Sequence, residues 1–180
     1  MEWYVSWVSN NLLLSAFIQF AVLGSLGEAL GVVASGKRAS GRRSSANAFA
    51  WLAKAVVWGI LGILVKYSFT GYKGFLAALV DKGFLPEAFE EITILRALSL
   101  SVLTNSMFGP LLMFLHRTTD NLISRTHGYK GIERSLATLA WFWAPAHTIT
   151  FALPYEYQIG LAALWSVALG LIMGFTKRKS

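Results

Sequence analysis

The sequence predicts an all-α fold, a multi-pass transmembrane helical bundle of about five spans, on three observations. Of its 180 residues 55% are hydrophobic and only 14% charged, outside the balance of soluble domains. The apolar residues fall in runs of about twenty, enough at ~1.5 Å per residue to cross ~30 Å of hydrocarbon. Eleven of the sixteen Lys and Arg lie in three segments between or after those runs, the pattern of cytoplasmic loops. That placement also accounts for the formal charge of +7 without a nucleic-acid partner. Cysteine is absent, which excludes disulfides, a thiolate nucleophile and a Cys-ligated zinc.

In chain order, residues 1–10 carry Trp3, Tyr4 and Trp7 with no Lys or Arg, as suits an aromatic anchor at the interface. Without a basic n-region, the first apolar run is expected to be retained, not cleaved as a signal. Span one, 12–34, has Glu28 as its only charge, and Gly27 and Gly31 form a GxxxG pair that lets a second backbone approach. The loop 36–45, with Lys37, Arg38, Arg42 and Arg43, faces the cytoplasm. Span two, 49–69, has a close-packing face at Gly59 and Gly62. Its Lys66 snorkels at the outer end, while Lys54 lies at the depth of Glu28 and is its natural partner, because an unpaired charge at mid-membrane costs about 2.5–3.5 kcal/mol. Residues 70–91 read as an extracytoplasmic interfacial segment with a short surface helix before Gly83 and an acidic turn opened by Pro86.

Span three, 94–115, has Arg96 near its outer end, placed to snorkel or to pair with Glu90 or Glu91. Ser101, Thr104, Asn105 and Ser106 point at protein ahead of a helix break at Pro110. Residues 116–134 are again basic and cytoplasmic. Span four, 136–153, is uncharged, but Pro145 breaks it. Trp143, His147 and Thr150 share one face, which is expected to look inward. Span five, 159–175, repeats the small-residue pattern at Gly170 and Gly174 and ends in Lys177, Arg178 and Lys179. Spans four and five are short enough to form a tight re-entrant hairpin instead. The charge pattern puts the N-terminus outside and the C-terminus in the cytoplasm, in a prokaryotic inner (plasma) membrane.

No Walker loop, dinucleotide fingerprint, HExxH or GxSxG is present, and His116, His127 and His147 have no metal-ligand spacing. No cofactor, metal or catalytic residue is therefore expected, and His116 and His127 read as interfacial. What remains is a polar centre of Glu28, Lys54, Trp58, Asn105, His147 and Thr150, of the kind a small-solute pathway or proton-linked carrier needs.

Several features, in order, resemble the Mpv-type family of small peroxisomal and mitochondrial inner-membrane proteins. Gly24-Ser25-Leu26-Gly27-Glu28 is similar to its first-span element, and Thr104-Asn105 before Gly109-Pro110 stands where that family has an acid-Gln pair. Trp143-Ala144-Pro145, His147, Thr150-Phe151 and Leu153-Pro154 resemble its Trp-Pro, Gln, Asn-Phe, Val-Pro series with shortened spacing, and Trp165 its final Trp motif. Gln158 replaces an Arg expected after the last proline. The resemblance implies a helical bundle acting as a weakly selective pore, or one needed for organelle homeostasis. The carboxyl half, with Gln158-Ile159, Ala162-Ala163, Ser166 and Met173-Gly174, is also similar to the small bacterial alanine-exporter family.

The expected function is transport, by a channel or exporter of a small solute or ion. The lipid bilayer is its first partner, with a second copy or a partner membrane protein as candidates. The alternative is a non-transporting scaffold or assembly subunit whose glycine faces bind partner helices. A third reading is an enzyme on a lipid-soluble substrate with Glu28 or His147 as acid/base. Because the native chain has no cysteine, Ser40→Cys and Ser124→Cys are expected to react with an impermeant maleimide only from the cytoplasmic side; labelling of either from outside overturns the topology.

Overall fold

The computed structural model describes residues 2–36 and 45–179, with 45–47 and 176–179 described by backbone alone. The four cations of the first basic loop, Lys37, Arg38, Arg42 and Arg43, lie outside the described residues. Within them every regular element is helical: α1 (Glu2–Asn10), α2 (Leu12–Ala34), α3 (Ser45–Asp81), α4 (Ala88–Glu91), α5 (Thr93–Leu103), α6 (Gly109–Ser124), α7 (Ile132–Thr138), α8 (Ala144–Ala152) and α9 (Tyr155–Lys179). Two π-helical turns, Thr104–Phe108 and Leu139–Trp143, join α5 to α6 and α7 to α8.

Four helices are long and apolar enough to cross a membrane: α2, α3, the joined α5–α6 and α9. Predicted span four, now α7–α8, is helical but not among them, since its Trp, Pro, His and Thr residues dilute the apolar run. It nevertheless packs antiparallel beside α5–α6, with Ser101 against Ala144 and Arg117 against Lys130. Large apolar side chains stay exposed on all five rods: Val22 at 59%, Leu52 at 64%, Leu98 at 47%, Ile149 at 54% and Leu164 at 50%. A girdle this wide exceeds what a water-facing surface carries and suits lipid.

Residues 70–81 correct the reading of a separate surface helix. They continue α3 without a break, giving a rod of 37 residues. Gly71 and Gly74 each cost a helix about 1 kcal/mol, but Phe69 and Leu76, 2% and 1% exposed, are locked into the core on either side of them and hold the helix through. It ends at Gly83, whose φ of +73° lets the Phe84 N–H reach back to the Leu79 carbonyl at 2.9 Å.

One end of the bundle carries the acidic turns at 81–91 and 152–157, the other the basic segments. The packed core sits in the acidic half, around Phe20, Phe69, Leu76, Leu100, Phe151 and Ile159. There α1 folds back on the start of α9, with Tyr4 stacked on Tyr157 (5.7 Å) and donating to Gln19 Oε1 at 2.8 Å. Trp3, 76% exposed, is left to the interface.

Inside lipid, burial against protein gains little over burial against tails, so association depends on close approach. All six predicted packing glycines provide it within this chain. Gly27, Gly31, Gly170 and Gly174 bring α2 and α9 together backbone to backbone in parallel, and a Cβ on Gly27 would stand 2.6 Å from the Ser166 carbonyl oxygen. Gly59 and Gly62 receive Phe17 and Phe20 of α2. Gly170→Ala, whose new Cβ collides with the Gly27 backbone, is expected to destabilise the detergent-solubilised protein by about 1–3 kcal/mol and lower its melting temperature. Gly74→Ala, with nothing within 4 Å, should not. Equal effects at the two positions would count against the α2–α9 seam.

Candidate functional site: a membrane-embedded cavity

Pro110 and Pro145 cannot donate a backbone hydrogen bond, and lipid offers no water in exchange. The expected breaks do not occur. Each proline is the second residue of a helix that follows a π turn, in which the donor reaches five residues back: Gly109 N–H to Thr104, Ala144 N–H to Leu139. The extra residue in each widened turn absorbs the missing donor, and the rods continue. The two π turns lie against each other.

Beside them, bounded also by α2, α3 and α9, lies a cavity of about 270 Å³ that runs from Phe69 and His147 toward the basic end, where Glu28, His116 and Ser135 line it. Its walls are mainly apolar, and its polar groups cluster at the two ends. At the inner end, Thr104 Oγ1, Trp143 Nε1 and His147 Nδ1 are buried without a hydrogen-bond partner among the described residues. Asn105 beside them is tied down, its Nδ2 donating to the Ser101 carbonyl at 2.8 Å, while Ser101 Oγ donates to the Ala144 carbonyl at 2.6 Å and joins the two rods. The His147 ring stands among Phe69 (5.3 Å), Trp143 (5.1 Å) and Phe151 (6.2 Å). Ser106 is an exception to its predicted inward cluster: it is exposed, and its hydroxyl bonds back to the Val102 carbonyl at 2.7 Å.

At the basic end, Lys54 is ion-paired and hydrogen-bonded to Glu28 and reaches Asp120 at 3.4 Å, with all three side chains 20–30% exposed. Trp58 Nε1 donates to the second Glu28 oxygen at 3.4 Å, and the Trp58 ring stands 4.5 Å from His116. Gly24 makes room for that indole: a Cβ there would lie 2.5 Å from it.

The predicted polar centre therefore divides into two groups. Glu28, Lys54 and Trp58 form one; Asn105 and His147 belong to the other, eleven residues away along α3, or about 16 Å. Glu28, Trp58, Asn105 and His147 line the cavity. Lys54 stands behind Glu28. Thr150 turns to α9, accepting from Trp165 Nε1 at 3.1 Å.

His116 and Asp120 were not among the expected site residues, and His116 lines the cavity. The two lie one helical turn apart, a ligand spacing in its own right, and α6 brings them to Glu28 with candidate ligand atoms within 4.8 Å of one another. Lys54 pairs with both carboxylates, so the chain's own ammonium already supplies the positive charge there.

A second space, about 320 Å³, opens at the acidic end. Lys73 and Arg96 line it with Glu90, Tyr155 and Gln158, against apolar walls that include Phe151 and Leu153. Lys73 Nζ donates to Gln158 Oε1 at 2.6 Å, and Lys66 stands 3.6 Å from the centre of the Tyr155 ring. Arg96 makes neither of the ion pairs expected of it with Glu90 or Glu91 among the described residues. Phe69 lines the inner cavity, Phe151 the outer space, and their rings meet at 4.5 Å between the two.

No protein-family model, curated protein or solved structure matches the chain. Its function is read from the geometry.

Removing the ammonium from a half-buried group of two carboxylates leaves them facing each other. Lys54→Met is expected to destabilise the protein by on the order of 2 kcal/mol, measured by thermal unfolding in detergent. Glu28→Gln, in which Lys54 keeps Asp120, should cost less. Equal or inverted effects would show that the cluster does not hold α2, α3 and α6 together.

Proposed function

We propose that this chain is a multi-pass membrane transport protein whose five helical rods carry a small solute through the inner cavity, with the basic end in the cytoplasm. The observation that carries the reading is the cavity itself. Four of the six residues expected at a polar centre line it, and three buried polar groups at its inner end have no hydrogen-bond partner among the described residues. Unpartnered buried polar atoms cost about 1–3 kcal/mol each, a cost that a bound solute or water relieves. Different devices stand at the cavity's two ends. The Lys54 group ties α2, α3 and α6 together at the basic end, and the Phe69–Phe151 pair stands between cavity and outer space. A carrier needs such a pair of barriers around a central site. Protonation of Glu28 would loosen the first of them, which is how transport would be linked to protons. The resemblance to the Mpv-type family and to the alanine exporters points the same way.

The scaffold reading draws less support, because the glycine faces it would offer to partner helices are occupied within this chain.

In proteoliposomes, wild-type protein is expected to pass protons and one or more members of a small-solute panel above empty vesicles. Glu28→Gln and His147→Ala should each reduce that flux at least tenfold while remaining monodisperse. No flux from any solute in the panel, with Glu28→Gln unstable, would move the assignment to the scaffold.

A further inference from the structure

The outer space gathers positive charge that no ion pair among the described residues neutralises. Lys66 is 3% exposed, and a buried ammonium is ordinarily matched by a carboxylate. Here its close neighbour is the face of Tyr155, and the same ring lies 4.6 Å from Lys73 Nζ. Arg96 completes a group of three cations drawn from α3 and α5. Glu90 lines the space and Glu156 adjoins Tyr155, but neither comes within ion-pair distance of Lys66, Lys73 or Arg96 among the described residues. Cation–π contacts of about 0.5–2 kcal/mol and one amide hydrogen bond position these ammonium groups without neutralising them. The opposite wall, from Leu76 and Leu100 to Phe151 and Pro154, is apolar.

We infer that this space binds the anionic oxygens, carboxylate or phosphate, of a small amphipathic ligand. Lys73 and Arg96 contact the anion, Lys66 supplies the buried charge behind Tyr155, and the ligand's apolar body lies against Leu100 and Phe151. The volume, at the low end for ligand pockets, restricts the part taken in to a few carbon atoms beside the charged group. Gln158 belongs to the recognition: its Oε1 orients Lys73 while its Nε2 donates to the Leu153 carbonyl at 2.8 Å, which fixes the amide's direction. The site stands whether or not the ligand crosses the membrane.

The ligand comes either from water, as a free organic anion, or from the bilayer, as a lipid headgroup. Purified full-length protein in neutral detergent is titrated calorimetrically with butyrate, with butanol as the uncharged control, and separately with short-chain phosphatidylglycerol against phosphatidylcholine. Binding of butyrate but not butanol, weakened at least tenfold by Lys73→Gln and by Arg96→Gln, supports the proposal with a soluble anion. Binding of phosphatidylglycerol alone, with the same sensitivity, supports it with a lipid headgroup. Arg96 is exposed, so its variant is expected to fold even if substitutions at Lys66 do not. No binding of either anion, or equal binding by wild type and both variants, overturns it. Because the titration needs no gradient, its result is separable from flux: Glu28→Gln is expected to lose transport yet bind the anion as wild type does.

Discussion

The constraint on which the rest of this structure depends is that hydrocarbon offers a backbone no substitute partner. Two prolines fall inside two neighbouring rods, and each removes a donor where water cannot replace it. Both rods meet the constraint with one widened turn ahead of the proline, Thr104–Phe108 and Leu139–Trp143. A π turn holds one residue more than an α turn and so shifts the side chains that follow it around the helix. The two turns lie against each other, and the cavity runs beside them, between these rods and α2, α3 and α9. Thr104, Trp143 and His147, whose buried polar atoms have no hydrogen-bond partner among the described residues, belong to those turns or to the helix that follows one. The seam formed by α2 and α9 shows the contrary case: two regular helices with small residues in register approach until their backbones touch.

The distribution of packing follows. The acidic half is filled by Phe69, Leu76, Leu100, Phe151 and Ile159, and the basic half contains the space. Charge is managed differently at the two ends as well. At the basic end a lysine is matched by two carboxylates; at the acidic end three cations collect with aromatic and amide neighbours but without an ion pair among the described residues. The bundle therefore presents two chemically distinct environments separated by a pair of phenylalanine rings.

Much of this was legible in the residues themselves, and what was not has physical causes. The pairing of Glu28 with Lys54 follows from equal depth, because two opposite charges in a low dielectric seek each other whatever the details of packing. The glycine pairs announced close approach but not their partner, since a small-residue face fits a neighbour in the same chain as well as one in another. His116 and Asp120 were hidden by a register that only the packing of α6 on α3 sets; their one-turn spacing was the available signal. The extension of α3 was obscured by Gly71 and Gly74, whose local preference is overruled by the burial of Phe69 and Leu76. Lys66 and Arg96 were read apart, each near the outer end of its own span, because their convergence with Lys73 is a tertiary property of α3 and α5.

The glycine seam has a mechanical consequence. Backbones in contact cannot slide or rotate past each other without leaving their grooves, and α3 is keyed to the same unit through Phe17 and Phe20. Helices α2, α3 and α9 thus form one rigid block, while α5 to α8, joined through Ser101 and Ala144, form a second. The contacts between blocks are sparser, and the cavity runs along their boundary, with Gly24, Glu28 and Trp58 on one side and Asn105, Trp143 and His147 on the other. The boundary between the two blocks is thereby located, and a tilt of one on the other would change the shape of the whole cavity while leaving every helix intact.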